Sequence, residues 1–200
     1  MDARAENDAL PAPFPPPPRW QRWLRSRGLR TALLVVAAGW LLVRAIDAFG
    51  GADGIREHFG PAAGLVLLPA QVVVAVSPVP SEIVAAIQVA IYGFWLGSAL
   101  CWLGWLGAAF LEYGLVRWTA GELGAPVSRE RLPALLRRLP IDHPAYLILA
   151  RFLPFGAHVV NVTAGLHGVA LGRFGWTAAV ALVPTSMFFA AVMRGILSLP

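Results

Sequence analysis

Two apolar runs of mismatched length flank the hexapeptide "SPVPSE" at 77–82, and no other feature restricts the fold as much. Residues 65–76, "LVLLPAQVVVAV", number twelve and rise about 18 Å as a helix, too little to cross roughly 30 Å of hydrocarbon. The run from Ile83 to Leu111 numbers 29, too many for one untilted crossing. The mismatch disappears if 62–95 is a helical hairpin that enters and leaves one membrane face, turning at Pro78 and Pro80, and if 96–119 is a span. Irregular backbone at membrane depth is tolerated where protein or a wet cavity satisfies its polar groups.

Composition supports a bilayer setting. The 200 residues are 58% hydrophobic and 14% charged, and the mean hydropathy is +0.65, which excludes an ordinary soluble domain. All 16 basic side chains are Arg. They lie in the gaps between apolar runs instead of forming a basic face on a soluble fold, so nucleic acid is not an expected partner. Cys101, the single cysteine, lies inside an apolar run and reads as a small buried residue; a disulfide within the chain and a Cys-based zinc site are excluded.

The remaining punctuation predicts a topology. Residues 1–30 form a cytoplasmic tail, disordered and proline-rich through 18, with Arg19, Arg22, Arg25, Arg27 and Arg30 and the headgroup-level Trp20 and Trp23 at its end. The membrane domain occupies 31–200 and opens with a span at 31–50, an uncleaved anchor because no clean small-x-small cleavage site follows it. Glycines at 93, 97, 104, 107, 114 and 121 line the span 96–119 with faces that admit a close neighbour, and an oligomer is compatible with them. Arg117, Arg129, Arg131, Arg137 and Arg138 mark a second cytoplasmic segment, in which "RERLPALLRRL" reads as a short interfacial helix. A second apolar stretch, 145–172, is interrupted by Arg151, Pro154 and Gly156 and reads as a second hairpin entered from the opposite face. A last span follows at 174–193. The predicted fold is therefore an all-α integral membrane protein with three spanning helices and two opposed re-entrant hairpins, an inverted-repeat arrangement typical of transporters.

Few side chains are equipped for chemistry. Glu82 follows the first break directly and reads as a proton-titrating or gating acid, or as a carboxylate favoured at a helix N-terminus. Arg151 stands at the second break, placed to pair with Glu82, to hold an anion, or to snorkel to the headgroups. Glu112 and Arg117, five apart, point about 140° from each other on a helix; Glu112 is read as a second cavity acid and Arg117 as a headgroup contact or interfacial anchor. His158 and Asn161 interrupt the second hairpin and read as satisfying broken backbone, with proton relay as the sharper option for His158. His158 and His167 are nine apart and do not share a helix face, so no metal site is expected. The chain lacks HExxH, GxSxG and GxxxxGK[ST], so neither enzymatic chemistry nor a cofactor is expected.

Three of these segments carry a resemblance. "SPVPSEIV" at 77–84, "EYGLVRWTAG" at 112–121 and "ARFLPFGAHVVNVTAGLHGVALGRF" at 150–174 are similar to the DedA family of bacterial inner-membrane proteins and, more broadly, to the SNARE-associated VTT domain of its eukaryotic relatives. The resemblance covers 60–195. Glu82, Arg117, Arg151, Pro154 and Gly165 match family positions. A second family arginine falls on Ala157, with His158 beside it as a substitute when protonated. The resemblance implies a multi-pass protein of the bacterial inner membrane, N-terminus cytoplasmic, that transports or scrambles an anionic lipid such as undecaprenyl phosphate with help from protons. Arg151 and Arg117 would engage the phosphate, and Glu82 with Glu112 would release it by changing protonation. A small-ion or small-solute transporter built on the same hairpins and a non-transporting membrane organiser are the alternatives.

Overall fold

The computed structural model describes residues 27–77, 79–122, 140–141 and 143–197; Pro78, the N-terminal tail to residue 26 and the proposed interfacial helix lie outside them. Among the described residues there is helix and no strand. Helix α1 runs Arg27–Ala48, α2 Gly51–Phe59 and α3 Ala63–Val76. Then come α4, Glu82–Glu122, α5, Pro144–Leu149, α6, Gly156–His167, and α7, Leu171–Leu197. By length and composition, four stretches suffice to cross a membrane: Leu29–Ala48, Gly51–Val76, Glu82–Gly121 and Leu171–Gly195.

Two of those four stretches are broken. Gly60, with φ 51° and ψ −133°, separates α2 from the turn that leads into α3. Gly93, at φ 72° and ψ −167°, splits α4 into 82–92 and 94–122, in a conformation that side-chain-bearing residues rarely adopt. The chain therefore doubles back at Gly93 instead of running straight for 41 residues.

The register of the fold-back follows from three contacts. A Cβ on Gly97 would sit 2.8 Å from the Cα of Val89. Further along, Cys101 Sγ lies 3.5 Å from the carbonyl of Ala85, and Trp105 Nε1 donates to Ser81 Oγ at 3.1 Å. As numbers rise on one arm they fall on the other, so the arms are antiparallel. Helix α3 packs on both: Tyr92 Oη accepts from the amide of Gly64, and Gln71 Nε2 donates to the carbonyl of Cys101 at 3.4 Å. Gly104 and Gly107 face Gln71 and Val72 so closely that a Cβ would overlap them, at 2.1 and 2.8 Å. Gly114 and Gly121 have no such neighbour within 4 Å. Only part of the glycine spacing therefore serves packing inside this chain. Since lipid is as apolar as a leucine side chain, close backbone approach of this kind is what holds helices together in a bilayer.

The second half repeats the order of short helix, break, short helix, long arm. Helix α5 ends in a 3₁₀ turn over Ala150–Phe152, the chain breaks at Leu153–Phe155, and α6 returns beside it. A Cβ on Gly156 would lie 1.8 Å from the carbonyl oxygen of Ala150, so only glycine fits where the arms meet. Phe155 takes up the left-handed conformation, φ 57°, that turns the chain. The long arm α7 runs antiparallel to 94–122: Phe110 packs on Phe174 with ring centroids 5.8 Å apart, and Trp102 Nε1 donates to the carbonyl of Ala179 at 2.9 Å. Leu147, Val160, Ala164, Tyr113 and Phe174 make the core of this half.

Candidate functional site

The two breaks face each other across one cavity of about 840 Å³. Its wall includes Ser77, Pro80 and Glu82 from the first break and Arg151, Phe155, Gly156 and His158 from the second. A smaller adjoining cavity of about 290 Å³ reaches deeper, between Trp105, Glu112, Asn161, Thr185 and Phe189, and shares Glu82, Arg151 and His158.

The first break resolves its own backbone. Ser77 Oγ donates to the carbonyl of Val74 at 2.6 Å and accepts from the amide of Val79 at 3.3 Å. Its acid stays free: Glu82 is exposed at the first turn of α4 and has no ion pair with any described residue. An N-terminal position favours the carboxylate through the helix dipole without occupying it.

At the second break the basic group is buried. Arg151 is 9% exposed, with its guanidinium carbon 5.2 Å from the centre of the Phe174 ring. One nitrogen, Nη1, donates to Asn161 Oδ1 at 2.9 Å. The other two, Nε and Nη2, are buried without a partner. A buried guanidinium with two idle donors is expensive.

Glu112 organises the remainder. Its Oε2 accepts from Asn161 Nδ2 at 2.9 Å and lies 3.1 Å from His158 Nδ1, with Oε1 at 3.3 Å from the same nitrogen. An ionised carboxylate only accepts, so Nδ1 carries the hydrogen. His158 is half exposed, at 52% of its side chain, whereas Glu112 is 15% exposed. His158, Glu112, Asn161 and Arg151 thus form a chain of contacts along one wall.

Most of the residues singled out from sequence come together here. Glu82, Glu112, Arg151, His158 and Asn161 line one cavity or both, with Pro80 and Gly156 at the breaks. Pro154 lies in the second break itself, between the turn and α6. Arg117 lines neither cavity: it donates to Tyr113 Oη at 2.9 Å, and Tyr113 in turn donates to the carbonyl of Val169 at 2.6 Å, just past the C-terminus of α6. Gly165 breaks nothing. It is buried inside α6, where a Cβ would meet the carbonyl oxygen of Tyr113 at 2.9 Å, and it lets α6 lie close on α4. His158 and Asn161 bond a carboxylate, not interrupted backbone.

Sequence reasoning passed over four wall or core residues. Trp105 and Ser81 tie the first break to the long arm. Gln71 and Gln88 are fully buried, and Gln88 has no partner at either end of its amide. A glutamine inside an apolar helix was the available signal, because an amide at that depth requires a partner. Among the described residues no group of three His, Cys, Asp or Glu side chains could hold a metal ion.

A family model described as the VTT domain matches residues 79–195, more than half of the chain. No curated protein and no solved structure matches.

Proposed function

The chain belongs to the VTT-domain family, the domain of DedA membrane proteins, and from that premise we propose that it is a membrane transporter which carries the headgroup of an anionic lipid phosphate between leaflets. In this reading the two breaks are tips of opposed re-entrant hairpins, and α1, 94–122 and α7 are the spans. The segments 63–76 and 82–92 rise about 21 and 16 Å, each short of the bilayer's hydrocarbon thickness, which supports re-entrance over two further crossings. In the same reading the membrane is the bacterial inner membrane, as the family implies, and the N-terminus is cytoplasmic, as the arginine distribution suggests.

One observation carries the proposal: a buried, incompletely bonded guanidinium stands across a cavity from a free carboxylate. Arg151 binds the phosphate through Nε and Nη2. Glu82 sits opposite, where an incoming anion repels its charged form; protonation of Glu82 admits the headgroup and deprotonation expels it, which couples the cycle to protons. Exposed apolar side chains beside the opening, Leu153 and Phe155 among them, suit a lipid tail that stays in the bilayer while the head crosses. Arg117, standing at the end of α6, serves packing there in place of a phosphate contact.

The test is translocation of labelled lipid in proteoliposomes, with wild type set against Glu82→Gln and Arg151→Ala. The proposal fails if both variants move lipid at the wild-type rate. Flux of small ions and solutes in the same vesicles checks the solute-transporter alternative. Mass spectrometry of lipids that co-purify with wild type but not with Arg151→Ala names the cargo. A variant lacking the tail that loses function with flux intact points to the membrane organiser instead.

A further inference from the structure

We infer that Asn161 is a positioning residue that keeps Arg151 out of a direct ion pair with Glu112, so that two donors of the guanidinium stay unbonded for an anionic ligand. The inference rests on reading the cavity as an anion site and says how that site is kept vacant. Asn161 is 4% exposed, and both ends of its amide are engaged: Oδ1 accepts from Arg151, and Nδ2 donates to Glu112. The chemistry allows one orientation only. A guanidinium has no acceptor and an ionised carboxylate no donor, so the oxygen must face Arg151 and the nitrogen Glu112. Each end of the Asn161 amide is thus committed to a charged neighbour.

A neutral amide at this point has a specific effect. Arg151 and Glu112 are both cavity groups on facing helices, and they form no ion pair. With the amide between them, Arg151 is oriented by one hydrogen bond while Nε and Nη2 remain unbonded. Glu112 is occupied by Asn161 and His158, which hold it away from the guanidinium. A carboxylate at position 161 would pair with Arg151 in competition with any anion, but its second oxygen would replace Nδ2 at 2.9 Å from Glu112 Oε2, where like charges repel unless Glu112 is also made an amide.

The experiment is equilibrium binding of inorganic phosphate, and separately of a short-chain phosphatidic acid, to full-length protein in detergent, with thermal midpoints measured on the same samples. In a Glu112→Gln background, where an amide faces position 161, Asn161→Asp is expected to weaken both ligands by about 10- to 100-fold relative to Glu112→Gln alone, the range of a charge-assisted contact, without lowering the midpoint. Asn161→Ala in the same background, which releases Arg151 without pairing it, is expected to lose less affinity and more midpoint than Asn161→Asp. A residue that only fills space would make the two variants equally harmful to the fold and would not separate affinity from stability; that pattern overturns the assignment. Affinity equal to that of Glu112→Gln in either variant also overturns it, and Asn161→Ala serves if Asn161→Asp does not fold. Binding of phosphate by a wild type that moves no lipid defeats the transport reading and leaves the role of Asn161 supported.

Discussion

The two breaks share a plan and differ in where their hydrogen bonds go. At the first, Ser77 bonds Val74 and Val79, all within five residues, and the charged group beside it stays exposed and unpaired. At the second, Arg151 is buried and depends on Asn161, which depends on Glu112, 49 residues away in the chain. A break that settles its polar groups locally leaves its charge unpaired. A break that recruits partners from another helix fixes its charge in place, as the proposed anion site requires.

Substitutions test this contrast, and Arg151→Ala should have the largest effect. On the proposed reading it removes the anion-binding group, so lipid flux should fall about 100-fold, while the thermal midpoint drops by the equivalent of no more than about 1 kcal/mol, because an incompletely bonded buried cation contributes little to the fold. A large loss of stability would show the guanidinium to be structural. Gly156→Ala comes next: a methyl against the carbonyl of Ala150 should cost about 2 kcal/mol and disturb the second break alone. Urea titration, with accessibility of Ser77→Cys and Leu153→Cys to a thiol reagent in a Cys101→Ala background, would show whether the damage stays on that side. Ser77→Ala removes the local bonding of the first break and should cost about 1 kcal/mol in the same titration, with phosphate affinity unchanged. The smallest effect on the fold belongs to Glu82→Gln, within about 0.5 kcal/mol, since the side chain is exposed and unpaired. Its flux should nevertheless lose its response to an imposed pH gradient, and a response equal to that of wild type would remove Glu82 from the coupling step.

The breaks themselves were legible in the sequence, because proline, glycine and run length act locally. The predicted turn at SPVPSE falls between α3 and α4, and the predicted change from hairpin to span near residue 95 falls close to Gly93. Partners were not legible. His158 and Asn161 lie three apart on one face of α6, and Glu112 is a lone acid on an apolar helix; each needs a partner at membrane depth, yet nothing local says that they supply one another. Their meeting depends on how closely α6 lies on α4, which Gly165 permits from outside the cavity. The partner of Arg117 was hidden for the same reason: only the packed position of Val169 and Tyr113 shows which way it turns.

Tyr92 ties the feet of the first hairpin together. Its hydroxyl accepts from the amide of Gly64 and donates to the carbonyl of Pro61 at 2.9 Å, so the start of α3 and the end of 82–92 share one anchor. That hairpin is clasped at its base and packed along its length as one body. The second hairpin, with a six-residue first helix and a left-handed turn at Phe155, is tied instead near its tip, through Arg151, Asn161 and Glu112. The cavity thus lies between one jaw held at the foot and one held at the tip.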